Sequence, residues 1–373
     1  LTKYLANRSQ STWSGTYLDA NASERFRPEA RVAALESIAV HGNPASVHGA
    51  GRAARRLLDD ARDALAQGFG AEPDSVVFTS GATEANALAI NGLRHGRRVL
   101  IGATEHDAVR VAAGDDAVTI PVTSDGIIAQ DELAARLAEP GSPALVCLML
   151  ANNETGVLHP IAEIAALCRR YNALLHVDAV QAAMRVPVSL RALGASSLVL
   201  SGHKQGGLPG AGALLLAPGI ELISSLFAGG GQELGRRGGM PPLPAIAAFA
   251  ATLEAEPADH LGPLRDLIEQ AAIEAGAIVC GGTAPRLPNT TCLALPGRPA
   301  ASQLIALDLA GFAVSAGAAC SSGKLGPSRV LQAMGLGALA GEAIRISLPW
   351  DATTTQATAF IEAYRAMAER RRG

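Results

Sequence analysis

The sequence predicts an α/β fold whose larger part is a mostly parallel sheet, followed by a smaller α+β unit. Two observations carry this prediction. From about residue 76 to residue 216, short apolar runs alternate with helical patterns, as in a parallel sheet covered on both faces. Nearly every polar residue of chemical interest directly follows one of those runs, where open α/β sheets place their ligands. The expected division is an N-terminal extension over 1–16, a large α/β domain over 17–257 and a small α+β domain over 258–373.

The strand-like runs are Val76-Val77-Phe78, Val99-Leu100-Ile101, Leu145 to Leu150, Leu174-Leu175-His176-Val177, Leu198-Val199-Leu200 and Ala213-Leu214-Leu215-Leu216. Before them, Arg55/Asp59 and Arg56/Asp60 have the i,i+4 spacing of ion pairs on a solvated helix face. After them, residues 253–268 read as a helix leading away from the sheet. Strands near Ala277-Ile278-Val279 and Thr291 to Leu295, and helices near 301–310 and 355–371, form the second unit. Glycine and proline clusters at 205–212, 229–239 and 281–288 are loops.

With 373 residues, 49% of them hydrophobic, and a net charge of only −3, the chain is expected to bury a sizeable core. It shows no charge signature of a nucleic-acid or membrane-surface binder. No apolar run approaches the ~18 residues of a spanning helix and no leader pattern opens the chain, so a cytoplasmic location is expected. Five cysteines (Cys147, Cys168, Cys280, Cys292 and Cys320) lack metal or disulfide spacing. Cys147 and Cys168 sit in apolar patterns and read as small core hydrophobes.

Lys204, in Ser201-Gly202-His203-Lys204-Gln205-Gly206, closes an apolar strand. A partly buried lysine there is a candidate Schiff-base former, which suggests a carbonyl cofactor. Pyridoxal phosphate needs such a lysine, an acid for its ring nitrogen, donors for its phosphate and a group stacked on its ring. Asp178, ending the run from Leu174, is the candidate acid. Ser80-Gly81-Ala82-Thr83-Glu84 follows a strand and opens a helix, so the N–H groups of Ala82 and Thr83 can meet a phosphate, with Ser201 and His203 as further donors. Gln181 is placed to reach the phenolic oxygen, His106 to stack on the ring or move protons, and Asn153 to contact the cofactor. Each residue taken alone has a structural reading as a helix cap or boundary residue. Their recurrence at successive strand ends of one sheet favours the functional one.

These motifs resemble the cysteine desulfurases of the class V aminotransferase-like group. The resemblance runs from Tyr17-Leu18-Asp19 to about Leu348. It includes Gly42 to His48, Ser80 to Glu84, Thr104-Glu105-His106, Asn152 to Gly156, His176 to Ala179, Ser201 to Lys204, Gly229 to Glu233 and, most specifically, Ser315 to Gly323 around Cys320. It implies a fold-type-I pyridoxal-phosphate enzyme, a homodimer, that converts L-cysteine to L-alanine. The sulfur would pass as a persulfide on Cys320 to an acceptor protein or thiol. Small residues around Cys320 suit a loop able to swing its thiol. Lys204 would carry the proton with His106 assisting, and Arg345 would clamp the substrate carboxylate with Asn153 nearby. A selenocysteine lyase or a related lyase, or an idle scaffold keeping the fold, are the competing readings.

The chain also departs from the family pattern. Where a threonine usually donates to the neighbouring subunit's phosphate stands Met240, which has no hydroxyl. Leu234 replaces an arginine, Ala22-Ser23-Glu24-Arg25 replaces Ala-Thr-Thr-Pro, Leu208-Pro209-Gly210 replaces Pro-Lys-Gly, and Pro349 replaces a glycine. These changes are expected around the cofactor phosphate and the site rim, away from Lys204, Asp178 and Cys320, with the chemistry retained.

Overall fold

The computed structural model describes residues 13–256, 258–317 and 326–370. Twelve strands occur among them: β1 (Thr16–Tyr17), β2 (Val76–Thr79), β3 (Arg98–Gly102), β4 (Val118–Ile120), β5 (Ala144–Met149), β6 (Leu174–Asp178), β7 (Ser197–Ser201), β8 (Gly212–Leu216), β9 (Ile278–Val279), β10 (Thr290–Ala294), β11 (Phe312–Ala313) and β12 (Ala343–Ser347). The main helices are α1 (Pro28–Ile38), α2 (Gly49–Phe69), α3 (Ala82–Leu93), α4 (Asp107–Ala113), α5 (Gln130–Ala138), α6 (Ile161–Arg170), α7 (Leu190–Leu193), α8 (Leu243–Ala251), α9 (Leu261–Glu274), α10 (Ala300–Leu309), α11 (Arg329–Ala333) and α12 (Thr354–Glu369).

Seven strands form the large sheet in the order β2-β8-β7-β6-β5-β3-β4. Only β8 runs against the rest, being antiparallel to both neighbours. β5, β7 and β8 are buried along their whole length, because helices cover both faces and leave no polar side for alternation. The carboxyl ends of β2, β3, β5, β6 and β7 consequently lie along one edge, joined there by the start of β8. A second sheet, β12-β10-β9, is antiparallel and packs its own core with α9 and α12 through Leu264, Ile268, Phe360 and Tyr364.

The structure differs from the sequence reading in several places. The helix expected over 253–268 is two elements, a 3-10 turn at Thr252–Glu254 and α9 from Leu261. The proline at 257 explains the break, since it disfavours helix in the residue before it. β4 escaped the reading because Val118-Thr119-Ile120 is a three-residue edge strand without a long apolar run. Thr16–Tyr17, at the junction of the expected extension and large domain, pairs with Phe312–Ala313, and Leu18 is buried in the core of the smaller sheet. Arg55 and Asp59 pair at 2.8 Å, whereas Arg56–Asp60 is not among the ion pairs of the described residues.

Cys147 and Cys168 are buried free thiols, as read. Burial pushes Cys168 up to about 12 and Cys147 upward as well. Among the described residues no helix is long and apolar enough to cross a membrane.

The glycine-rich loop over 229–239 is pinned to α2 by a nearly buried pair, Arg62 Nη2 to Glu233 Oε1 at 2.7 Å. Glu233 Oε2 also accepts from the Phe78 N–H at 2.9 Å. Glu233→Ala takes the acceptor from the Phe78 N–H and the carboxylate from a nearly buried Arg62, which keeps the Val76 carbonyl, and should cost about 3 kcal/mol of stability. Denaturant unfolding checks this, and a loss within experimental error would contradict it.

Candidate active site

The strand-end edge carries a cavity of about 480 Å³ lined by Ala82, Thr83, His106, Asn153, Asp178, Gln181, Ser201, His203 and Lys204. All nine residues singled out as cofactor contacts therefore meet in one space. Parallel strands put them there: each stands at or just after the carboxyl end of β2, β3, β5, β6 or β7, and these ends lie along one edge of the sheet.

Lys204 ends a 3-10 turn directly after β7. Its Nζ donates to the carbonyls of Asn21 at 2.6 Å and Ala22 at 2.9 Å. Gln181 Nε2 donates to the same Asn21 oxygen at 3.0 Å, while its Oε1 accepts from Arg185 at 2.5 Å. The altered segment from Ala22 thus sits beside the lysine, not away from it as the sequence predicts, because its backbone carbonyls supply acceptors for the amine. Glu24 in it makes a buried pair with Arg185 at 3.7 Å.

Asp178 closes β6. Burial pushes its carboxyl up, opposed by the Val180 N–H on Oδ1 at 3.0 Å and Asn86 Nδ2 on Oδ2 at 2.8 Å, and by His106 and Lys204. A carboxylate this deep is stabilised by a positively charged partner, and the cavity leaves room for one. His203 is held neutral, its imidazole lowered to about 4 by burial and by the Lys204 ammonium. Its Nδ1 lies 3.0 Å from Ser201 Oγ.

α3 starts at Ala82 with Gly81 as an N-cap that supplies no side-chain acceptor, so its positive end is available to an anion. The turn is held close to β8. A Cβ on Gly212 would meet the Gly81 Cα at 2.7 Å, so only glycine lets the two backbones approach. Glu84 accepts from the Ser80 N–H at 2.8 Å and pairs with Arg237 at 2.7 Å, tying the glycine-rich loop to this helix.

His106 caps α4, its Nδ1 accepting from the Ala108 N–H at 3.1 Å. The Asn153 carbonyl accepts from Arg345 Nη1 and Asn21 Nδ2, each at 3.1 Å. Arg345 is not among the residues lining the cavity. It lies buried next to it on β12, paired with Asp19 at 2.5 Å, with its Nε unpartnered. Cys320 lies outside the described residues. Gly317 and Gly326, on either side of that segment, line a smaller cavity of about 230 Å³ with His106, Asn153 and Glu154. Met240 and Leu234 are exposed and do not border the cavity of their own chain, unlike Pro209 and Gly210, which line it.

The sequence reading missed Asn86, Asn21 and Glu105. Glu105 is buried with Oε1 accepting from the Met149 N–H at 2.9 Å and Oε2 unpartnered. Burial raises its carboxyl well above the ordinary range, so the folded chain keeps a proton that the unfolded chain releases. Stability therefore falls as pH rises above the normal glutamate range, at about 1.4 kcal/mol per pH unit until the folded group ionises. Glu105→Gln should flatten that slope, giving parity with the parent near about pH 4 and a more stable variant at neutral pH. Denaturant titrations across pH check this, and equal slopes would contradict it.

The aminotransferase class-V family model matches residues 16–360. The chain belongs to that family. Among its class-V relatives is a cysteine desulfurase of Cereibacter sphaeroides, 40% identical over 93% of this chain and 94% of the relative. An IscS-like cysteine desulfurase of Mycobacterium tuberculosis is 34% identical over 89% and 91%. A solved NifS-like protein from Rickettsia africae superposes with a TM-score of 0.88 at 32% identity, covering 95% of this chain and 99% of that one. The structure of SspA in complex with cysteine gives 0.79 at 28% identity, covering 90% and 99%.

Proposed function

We propose that this class-V protein is a pyridoxal-phosphate-dependent cysteine desulfurase: L-cysteine becomes L-alanine, and the sulfur leaves as a persulfide on Cys320 for an acceptor protein or thiol. One observation carries the reading, the convergence of Lys204, Asp178, His106 and the α3 N-terminus in a single cavity. The donor set fits the cofactor. Ala82, Thr83, Ser201 and His203 suit its phosphate, buried Asp178 suits a protonated ring nitrogen, and His106 suits the ring face. When bound, the cofactor supplies an electron sink that makes the substrate Cα–H acidic and its Cβ–S bond breakable.

The protein's own groups do the rest. Lys204 moves the proton at Cα, with His106 on the same cavity as assistant. Arg345 offers a guanidinium for the substrate carboxylate beside Asn153. The Cys320 thiolate attacks the substrate sulfur, so one C–S bond breaks, one S–S bond forms and Cβ takes up a proton. Support for the reach of Cys320 is that the described ends of its segment, Gly317 and Gly326, border His106 and Asn153. L-Cysteine as substrate is supported by the cysteine complex of the related SspA.

The deciding experiment incubates purified protein with L-cysteine and reads alanine and Cys320 persulfide together. Their formation in equal amounts is expected, and a keto acid in place of alanine would overturn the reading. In the homodimer implied by the resemblance, Met240 would face the partner's phosphate. Met240→Thr should then lower the pyridoxal phosphate Kd by about tenfold, the worth of one hydrogen bond to a charged group. An unchanged Kd by equilibrium dialysis removes that role.

A further inference from the structure

Behind the cavity, four side chains form an uninterrupted buried series. Ser197 Oγ lies 2.8 Å from His176 Nδ1, His176 Nε2 lies 2.9 Å from Asn86 Oδ1, and Asn86 Nδ2 donates to Asp178 Oδ2 at 2.8 Å. Ser197, His176 and Asn86 are fully buried. Neighbouring strands bring them together, since His176 on β6 is the direct cross-strand partner of Ser197 on β7, and α3 lays Asn86 over them.

The protons in this series can run in only one direction. An ionised carboxylate only accepts, so Asn86 turns its amide nitrogen to Asp178 and its oxygen to His176. His176 must then donate from Nε2 and, being neutral, accept on Nδ1 from the Ser197 hydroxyl. Burial holds the imidazole neutral by lowering it to about 4. Asp178 Oδ1 is fixed separately by the Val180 N–H.

We propose that Ser197, His176 and Asn86 are positioning residues, a one-way hydrogen-bond chain that aims the Asp178 carboxylate into the cavity and keeps it an acceptor for the cofactor ring nitrogen. The purpose of the chain rests on the pyridoxal phosphate reading above, and its direction on Asp178 being ionised. A packing role alone would survive replacement of His176 by an apolar ring of similar size. A positioning role requires the donor toward Asn86.

Two measurements test this. In protein labelled with ¹⁵N-histidine at neutral pH, His176 should be the Nε2–H tautomer, and Ser197→Ala should shift the Nδ1 resonance without charging the ring. In the holoenzyme, His176→Phe should raise the pyridoxal phosphate Kd about tenfold. His176→Gln, which keeps a donor toward Asn86, should recover most of that loss, with thermal unfolding confirming that both variants fold. An Nδ1–H tautomer overturns the chain. A Kd for His176→Phe within about twofold of the parent overturns the positioning role. A parent protein that takes up no pyridoxal phosphate overturns the cofactor reading instead.

Discussion

Lys204→Ala is expected to abolish the absorbance band near ~420 nm that reports lysine-bound cofactor, and to slow alanine formation by about 10²–10⁴-fold, the usual worth of a positioned acid–base group. The structure bears on how clean this experiment is. The amine's acceptors are the carbonyls of Asn21 and Ala22, and Asn21 O keeps its bond from Gln181. The variant should therefore fold, with a melting temperature close to the parent's. A folded variant that keeps the band, or turns over within about tenfold of the parent, would remove Lys204 from the chemistry.

Cys320→Ser should separate binding from sulfur transfer. Every lining residue of the main cavity remains, so the variant should bind pyridoxal phosphate and respond spectrally to L-cysteine as the parent does. Alanine and persulfide should fall to background, because a serine hydroxyl is a far weaker nucleophile toward sulfur than a thiolate. The other cysteines cannot substitute. Cys147 and Cys168 are buried thiols pushed up by that burial, and Cys280 and Cys292 are buried as well. Persulfide on Cys320→Ser protein, located by mass spectrometry, would sink the assignment.

Most of the large sheet was legible because its signals are local. A parallel strand covered on both faces reads as an unbroken apolar run, and Leu145 to Leu150 or Leu198 to Leu200 could hardly be anything else. The short edge strand β4 carried too few residues for that signal, and Thr16–Tyr17 gave no hint of its partner at Phe312–Ala313. In the site, His176 could have been found. It precedes Asp178 by two residues on one strand, so both point to the same face. Asn86 offered no such cue, since a helical asparagine one turn past a phosphate-type turn has no signature of its own.

What the sequence determined by itself is which residues stand at the strand ends, and so which nine line one cavity. Strand period and burial are properties of a few consecutive residues, and parallel order then aligns their ends. Only the tertiary structure decided what those residues touch. Arg345 meets Asp19 across 326 residues of chain, and His176 meets Asn86 across 90. Hydrogen-bond partners at such separations are fixed by how the elements pack, because each buried polar group must find an acceptor or donor within about 3 Å wherever the fold supplies one.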